Sequence, residues 1–233
     1  MSAENPLYVI AYTLLERFCE ESKEGVYIDA GANIGGMFQS SRGQDIHAFE
    51  PVPDVFKIME MKHGSKPNVF LNNKALGDKK ETVHGVSVYS AWTLLTDEQN
   101  KKNMGSAVGY IGKKFDMDVV RLDDYVDEHG LKVAAIKLDV DGYEPMVLRG
   151  GKKTIKRDRP IIFFELSEYP CSFGESIDEM LRYIKNELKY VFAANDGSFW
   201  TQDIEFVKSV YPFGSSYDIT LVPFEKISWI KKC

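Results

Sequence analysis

The sequence has no excess of basic residues and few cysteines. Its 233 residues include 29 Lys and Arg against 35 Asp and Glu, which gives a formal net charge of −6 at pH 7. A long-range attraction for nucleic acid is therefore not expected, and we predict no nucleic-acid partner. The three cysteines are an odd number at wide spacing. This argues against a disulfide framework or a zinc knuckle and favours a reducing compartment, the cytoplasm.

Long hydrophobic runs, internal repeats and low-complexity tracts are also missing. No basic region precedes the first apolar stretch, and Glu16 and Arg17 interrupt it, so we predict neither a signal peptide nor a membrane span. A hydrophobic fraction of 44% and a charged fraction of 27% are ordinary for a soluble enzyme. The length suits one large domain, which we place over residues 1–233, and the oligomeric state stays open.

Short apolar runs recur along the chain and predict a sheet of seven strands. They cover residues 26–30, 45–49, 69–71, 134–138, 161–165, 190–194 and 217–222. Helical patterns separate most of them: an amphipathic stretch over 6–21, one from residue 37 onward, one over 53–61 and one that begins at Ser176 with a capping box. This alternation predicts a doubly wound, mostly parallel α/β fold with sites at the carboxyl ends of the strands and an antiparallel last strand.

Residues 78–118 break this rhythm. They are rich in glycine, serine and aromatic residues and have no long helical period. A connection of this length inside a compact domain is typical of a functional loop or hairpin, so we predict an insertion at about residues 78–118 that contributes to a binding site.

A second glycine is missing from the turn after the first strand. The dinucleotide fingerprint G-x-G-x-x-G places a glycine where the backbone approaches a pyrophosphate, but the turn from Gly31 to Gly36 has Asn33 at that position. Asp29 ends the strand before the turn and would repel a pyrophosphate. The turn therefore favours a ligand that is cationic there and carries no phosphate. S-adenosylmethionine, with its ammonium and sulfonium groups, fits this requirement.

The positions around this turn complete a predicted S-adenosylmethionine site. Glu50 ends the second strand 21 residues after Asp29, where an acid can accept both ribose hydroxyls. Asn73 follows the third strand and is placed to read an edge of the adenine. The cofactor-binding candidates are Asp29, Gly31, Asn33, Gly35, Glu50, Asn73 and Asp139. The alternative is an ordinary strand-turn-helix unit that merely packs closely.

Several longer stretches carry a resemblance to a known family. They read, in order, YIDAGANIGG, HAFEPVPDVF, NKALGD, NMGSA, VVRLDDYV, AAIKLDVDGYEPMVLRGGKKTI and RPIIFFE, and they span about residues 25–165. In content and order they resemble the FkbM family of class I S-adenosylmethionine-dependent methyltransferases. The resemblance implies methyl transfer to oxygen, with sugars or hydroxylated natural products as acceptors. The family often has Glu where this chain has Asp141, so the role of that position stays open.

Acidic residues follow the fourth and fifth predicted strands. Asp139 and Glu165 end these strands, and Asp141 and Glu144 lie on the turn after Asp139. A sugar hydroxyl needs a base or a metal ion to lower the cost of ionising it. Asp139 is the central candidate and Glu165 the second, either as a base or as ligands of a divalent cation such as Mg²⁺ or Mn²⁺. For Glu144, capping of the next helix or anchoring of the loop is an equal alternative.

The insertion supplies the remaining candidates. His84 could face the acceptor and is the third catalytic candidate. Four further residues have the character of a sugar site, since aromatic faces stack on a pyranose and short polar groups bind its hydroxyls. They are Tyr89, Trp92, Asn103 and Ser106. A hairpin that covers its own small hydrophobic cluster is the alternative for each of them.

The main prediction is an O-methyltransferase that acts on a sugar or glycan, and two other functions remain open. RNA ribose 2'-O-methylation commonly uses a Lys-Asp-Lys-Glu set, for which Asp139 and Glu165 could supply the acids. The two lysines of this set cannot both be assigned to residues of this chain, because Lys137 is expected to point away from Asp139. The acidic net charge also disfavours RNA. A fold that keeps the cofactor pocket as a binding module without catalysis is the third hypothesis.

Overall fold

The chain folds into a large sheet and a small sheet. The computed structural model describes residues 13–22, 24–89, 94–95, 110–211 and 216–230. The strands within these ranges are β1 (Val26–Ala30), β2 (Ile46–Phe49), β3 (Val69–Asn72), β4 (Ala75–Gly77), β5 (Glu81–Tyr89), β6 (Leu94–Leu95), β7 (Tyr110–Arg121), β8 (Val133–Leu138), β9 (Ile161–Ser167), β10 (Tyr190–Ala193), β11 (Trp200–Thr201) and β12 (Ser216–Pro223). Eight of them form the large sheet in the order β11-β10-β12-β9-β8-β1-β2-β3, and the other four form the small sheet in the order β4-β7-β5-β6.

The large sheet has the predicted doubly wound, mostly parallel architecture. β1 pairs in parallel with β2 and β8, and the pairs β2–β3 and β8–β9 are parallel as well. β12 lies antiparallel between β9 and β10, as predicted for the last strand. All seven predicted strands are present, and the short β11 is an addition. The carboxyl ends of β1, β2 and β8 consequently meet at one edge of the sheet.

Helices cover both faces of the large sheet. They are α1 (Thr13–Glu21), α2 (Pro53–His63), α3 (Leu122–Glu128), α4 (Glu144–Gly150), α5 (Lys152–Asp158), α6 (Ile177–Arg182), α7 (Ile204–Ser209) and α8 (Ile227–Ile230). The core consists of two hydrophobic clusters, one on each face of the sheet, because successive side chains of β1 point to opposite faces. Ile28 packs in the cluster with α3 to α7, and Tyr27 packs in the cluster with α1, α2 and α8. In the described ranges, none of the helices has the length and apolar character needed to cross a membrane.

Two helical segments differ from the sequence-based prediction. After the glycine turn a short 3-10 helix, Phe38–Ser41, replaces the predicted α-helix, and it ends at Arg42 in the left-handed region at φ +52. The predicted N-cap is confirmed, since Ser176 Oγ accepts the Glu179 N–H at 3.3 Å, but the helix continues as a π-helix over Tyr183–Leu188. A single 3-10 turn lacks the summed dipole of a long α-helix, which is what attracts a phosphate to a glycine turn.

The described part of the predicted insertion belongs to the small sheet. β5 and β7 pair antiparallel, and β4 pairs in parallel with β7. Three buried side chains, Val86, Met117 and Val119, form the core of this sheet. The described part thus forms a sheet with a small core of its own, whereas residues 90–93 and 96–109, with most of the predicted acceptor-site residues, lie outside the described residues.

Candidate functional site

A cavity of about 400 Å³ lies at the edge of the sheet where β1, β2 and β8 end. The turn after β1 forms one wall, and the segment after β2 forms a second. The turn after β8 contributes Asp139, Asp141 and Tyr143, while Met117 and Phe173 approach from the small sheet and from the segment after β9. In open α/β sheets, ligands bind at this position, outside the carboxyl ends of the strands.

The beginning of the turn after β1 is held by both neighbouring strands. Gly31 N and Ala32 N donate to Phe49 O at 3.1 and 2.9 Å. Gly31 has φ +75, and a Cβ at this position would lie 1.9 Å from Asp139 O. Only glycine fits this close approach of β1 to the residue that follows β8. Gly31 therefore fixes the floor of the cavity.

The rest of the turn directs backbone polar groups towards the end of β2. Asn33 donates its backbone N–H to Glu50 Oε2 at 2.9 Å, and its Oδ1 accepts the Ile34 N–H at 2.8 Å. The left-handed φ of +50 at Asn33 is one that asparagine adopts more readily than most residues. Gly35, at φ +81, packs against the ring of His63, which a Cβ would approach to 2.7 Å. Asn33 thus lines the cavity, whereas Gly35 serves the packing of the turn.

Glu50, the predicted ribose-binding acid, is buried and lines the cavity. Its Oε2 accepts the Asn33 N–H at 2.9 Å, and its Oε1 accepts the Val52 N–H at 2.8 Å. Each carboxylate oxygen has acceptor capacity for a further donor. Burial raises the pKa of Glu50, and the two backbone N–H groups oppose that shift. The carboxylate is held in one orientation with both oxygens able to accept from a ligand.

Asn73, the predicted reader of the adenine edge, binds the backbone beside Glu50 through its amide nitrogen. Its Nδ2 donates to Glu50 O at 2.9 Å and to Pro51 O at 3.2 Å. Asn73 is not among the described residues that line the cavity. The amide nitrogen supports the segment that carries Glu50, and the contact of Asn73 with an adenine edge stays a prediction.

Lys137 is a site residue that the sequence patterns did not reveal. The prediction that it points away from Asp139 is wrong, because its Nζ lies 3.2 Å from Asp139 Oδ2 and 3.6 Å from Asp29 Oδ1. The same Nζ donates to Gly31 O at 2.6 Å and to Ala30 O at 3.3 Å. Burial alone lowers the pKa of Lys137, but the Asp29 and Asp139 carboxylates outweigh it and raise the pKa to about 12. The sequence did contain a signal for this contact. Lys137 and Asp139 are two residues apart at the end of a strand, and side chains at that spacing lie on the same face.

The two acids beside Lys137 differ in their access to the cavity. Asp29 is completely buried, and neither carboxylate oxygen accepts a hydrogen bond from the described residues. Burial raises the pKa of Asp29 to about 6, although Lys137 lowers it. Asp139 lines the cavity with a side chain that is 39% exposed. Of these two predicted cofactor-binding acids, Asp139 lines the cavity, whereas Asp29 lies buried behind Lys137.

A buried carboxylate shapes the turn after β8. Glu144 is fully buried, and its Oε1 accepts the Val140 N–H at 2.9 Å and the Gly142 N–H at 3.3 Å. The turn holds Asp141 at φ +51 in the lining of the cavity. Burial, followed by the charge of Asp139, raises the pKa of Asp141 to about 7, and burial raises that of Glu144 to about 7. Of the two roles considered for Glu144, the geometry agrees with the anchoring of the loop.

Glu165, the second predicted catalytic acid, lies in β9 and is not among the described lining residues. Its Oε2 is buried and has no hydrogen-bond partner in the described part of the chain. Burial, then the charges of Asp139 and Glu144, raises the pKa of Glu165 to about 8. No three His, Cys, Asp or Glu side chains in the described ranges come together as a metal site. The predicted divalent cation on Asp139 and Glu165 gains no support from this geometry.

His84, the third predicted catalytic residue, lies in β5 of the small sheet. Its Nδ1 is 3.0 Å from Asp116 Oδ2, and the two side chains are 77% and 60% exposed. His84 is not among the described lining residues, so the structure does not bring it to the cavity. Trp92, Asn103 and Ser106 lie outside the described residues, as does the side chain of Tyr89.

An aromatic pair from two other turns lines the cavity. The rings of Tyr143 and Phe173 are 4.8 Å apart between centroids and meet edge to face at 77°. Tyr143 follows β8, and Phe173 ends the 3-10 helix Tyr169–Phe173 that follows β9. The available signal for Tyr143 was its position two residues after Asp141, just beyond the end of a parallel strand, where sites in this fold lie.

Comparison with known proteins identifies a family. A family model described as the methyltransferase FkbM domain matches residues 29–192. This range contains Glu50, Lys137 and Asp139. The 2-O-methyltransferase NoeI of Sinorhizobium fredii is 27% identical over 169 residues, which cover 66% of this chain and 68% of that protein.

Two solved structures are among those similar to this chain. A structure of methyltransferase FkbM from Methylobacillus flagellatus KT matches 85% of this chain with a TM-score of 0.48 and 14% identity, and the match covers 43% of that longer chain. An rRNA methylase from Streptococcus thermophilus matches 92% of this chain and 98% of its own length, with a TM-score of 0.47 and 13% identity. At these identities the likeness concerns no more than the fold.

Proposed function

Because the chain belongs to the FkbM methyltransferase domain family, we propose that it is an S-adenosylmethionine-dependent O-methyltransferase that methylates a hydroxyl of a sugar or glycan. Family membership makes the protein a methyltransferase, and the proposal adds the methyl donor, the oxygen and the sugar. One observation carries it, namely an acid-lined cavity at the strand ends in which Glu50 offers two oriented carboxylate oxygens.

The chemistry of the cavity suits this donor better than a nucleotide phosphate. Among the described lining residues, Glu50, Asp139 and Asp141 are acidic, and Lys137 is the one basic residue. The Lys137 ammonium has three N–H groups and already faces five oxygen atoms between 2.6 and 3.6 Å away. It therefore has no donor to spare for a phosphate. An acidic lining favours the ammonium and sulfonium of S-adenosylmethionine, and Glu50 suits a ribose diol.

In this reaction the residues of the chain have to align the acceptor oxygen, exclude water and take up one proton. When bound, S-adenosylmethionine supplies a methyl group on a sulfonium leaving group. The cavity walls align the acceptor oxygen and keep water away from it. A carboxylate at the strand end takes up the hydroxyl proton, and we assign this task to Asp139, with Asp141 beside it in the lining.

The aromatic pair supports a sugar as the acceptor. Tyr143 and Phe173 offer ring faces and edges to the apolar face of a pyranose, and Asp141 can accept hydrogen bonds from its hydroxyls. The similarity to a protein named 2-O-methyltransferase agrees with oxygen as the methylated atom. The insertion candidates complete the proposed acceptor side. They are Tyr89, Trp92, Asn103 and Ser106.

RNA ribose 2'-O-methylation is the second candidate, because Lys137 and Asp139 form half of a Lys-Asp-Lys-Glu set. The net charge of −6 and the engaged ammonium of Lys137 argue against it. A salt titration of RNA binding separates the candidates, since only RNA methylation predicts an affinity that falls steeply with salt.

A panel of acceptors tests the proposed function. The purified protein is incubated with methyl-labelled S-adenosylmethionine and oligosaccharides, hydroxylated natural products or RNA, and the products are identified by mass spectrometry. We expect a labelled methyl ether on a sugar hydroxyl that is lost in Asp139→Asn. Label on RNA ribose would support the second candidate, and label confined to a natural product would replace the sugar. Donor binding without transfer to any acceptor would favour a binding module.

A further inference from the structure

Three charged side chains form a line from the core of the large sheet to the cavity. Asp29 and Lys137 are register partners in the parallel pair of β1 and β8. Lys137 Nζ lies 3.6 Å from Asp29 Oδ1 on one side and 3.2 Å from Asp139 Oδ2 on the other. The exposed fraction of the side chains rises along this line from 0% at Asp29 through 6% at Lys137 to 39% at Asp139. Asp139 is therefore the accessible end of a buried chain of charges.

The Lys137 ammonium also binds the backbone at both strand ends. It donates to Gly31 O at 2.6 Å, to Ala30 O at 3.3 Å and to Asp139 O at 3.4 Å. The backbone of Gly31 and that of Asp139 approach each other here so closely that a Cβ does not fit between them. One ammonium thus fixes the glycine turn, the backbone of Asp139 and the carboxylate of Asp139 relative to one another.

We infer that Asp29 and Lys137 are positioning residues for the methyl donor. Asp29 orients Lys137 from inside the core. Lys137 in turn holds the glycine turn and the Asp139 carboxylate, and both line the cavity proposed for the methyl donor. The inference rests on the proposed function, because the ligand concerned is the methyl donor. It assigns to Asp29 a role without ligand contact, since the Asp29 carboxylate has no surface exposed to the cavity.

A purely structural role for Lys137 is the alternative that a test has to separate. Replacing Lys137 by methionine leaves the Asp29 carboxylate buried without a counter-charge, which destabilises the fold whatever the lysine does for ligand binding. Replacing both residues, as in Asp29→Asn with Lys137→Met, removes the uncompensated charge. The double variant therefore recovers stability without recovering the ammonium that holds Asp139.

The experiment measures two properties of each variant. Binding of S-adenosylhomocysteine, the demethylated form of the donor, is followed by calorimetry, and Tm is measured without ligand. We expect Lys137→Met to bind roughly 100-fold more weakly and to lose Tm. Asp29→Asn should bind about tenfold more weakly. The double variant should regain Tm and yet bind about as weakly as Lys137→Met, because the two residues act in one chain.

The control is Lys132→Met. Lys132 stands just before the opposite end of β8 and pairs with Glu24 at the surface, so this variant should bind as the wild type does. Recovery of affinity together with Tm in the double variant would overturn the inference in favour of a structural role. Losses that multiply to about 1000-fold would overturn it in favour of direct contact by Asp29.

The double variant keeps the test decisive if Lys137→Met does not fold, because its affinity still distinguishes recovery from continued loss. Failure of the inference also differs from failure of the proposed function. Wild-type protein that does not bind S-adenosylhomocysteine contradicts the function, whereas tight binding by wild type and double variant alike contradicts only the positioning role.

Discussion

The large and small sheets contribute to the cavity in different ways. At the ends of β1, β2 and β8, the polar side chains Glu50, Lys137 and Glu144 each have two or more hydrogen-bond partners at distances of 2.6 to 3.4 Å. The described part of the small sheet contributes Met117 to the lining. Its predicted catalytic residue, His84, is exposed and lies 3.0 Å from Asp116. The polar groups of the site are thus fixed where parallel strands end.

This difference follows from how each region is stabilised. The strand ends of the large sheet emerge from a core that is buried on both faces. Burying a polar group there costs free energy unless the group has a hydrogen-bond or ionic partner, and such a partner also fixes its orientation. The small sheet has a described core of three side chains, and its described polar side chains, such as Thr82, His84 and Asp116, are mostly exposed. We expect substitutions at the strand ends to cost far more than substitutions in the small sheet.

Gly31→Ala should have the largest effect. Its Cβ would lie 1.9 Å from Asp139 O, at a backbone φ of +75, so the ends of β1 and β8 have to separate. We expect a loss in the free energy of unfolding on the order of 3 kcal/mol or more, measured by chemical denaturation. Gly36→Ala is the matched control, because a Cβ there meets nothing within 4 Å and should change stability by less than about 1 kcal/mol. Equal losses in both variants would contradict the close approach.

Glu165→Gln should have an intermediate effect that depends on pH. Burial raises the pKa of Glu165 from 4.5 to about 8 in the folded state. A carboxyl group with a raised folded-state pKa favours the folded state at low pH, and this contribution is lost as the pH rises through about 8. Compared with wild type, the variant should gain on the order of 1–3 kcal/mol at pH 8.5 and little at pH 5.

Urea denaturation at the two pH values measures this difference. The control is Glu60→Gln on the exposed surface of α2, for which the stability difference from wild type should not change between the two pH values. A difference between Glu165→Gln and wild type that is the same at pH 5 and pH 8.5 would show that Glu165 is not held protonated by its burial.

His84→Ala should have the smallest effect. It tests directly whether the small sheet or the strand ends of the large sheet carry the catalytic base. His84 is exposed and bound to Asp116 in the small sheet, so its loss should change kcat/KM by no more than about twofold. A general base contributes about 100-fold or more to the rate. A loss of that size in His84→Ala, with unchanged Tm, would place the catalytic base in the small sheet and reverse the comparison.

The parts of the site that can be predicted from the sequence are those that depend on local sequence patterns. Apolar runs predict the strands, and a glycine turn at the end of one strand with an acid at the end of the next predicts Gly31 and Glu50. Both residues line the cavity of the structure. The 3-10 helix after the turn was missed, because the sequence does not show that Arg42 takes a left-handed conformation and ends the helical segment there.

The parts that were missed depend on register between distant strands. Lys137 binds Ala30 and Gly31, which are 107 and 106 residues away along the chain, and these contacts follow from the pairing of β1 with β8. The position of His84 depends on β5, which pairs with β7 through two register shifts. Alternation of side chains cannot be carried across such irregularities, so the sequence did not show which face of the small sheet His84 occupies.

The most direct test of the account is the affinity for S-adenosylhomocysteine of wild type and of Glu50→Gln, measured by calorimetry at one pH and salt concentration. Glutamine keeps the shape of the side chain but replaces one of the two acceptor oxygens and removes the charge that Asn33 and Val52 orient. The account predicts a loss of about 1–3 kcal/mol in binding free energy in Glu50→Gln and none in the exposed control Glu60→Gln. An unchanged affinity in Glu50→Gln would contradict the assignment of this cavity to the methyl donor.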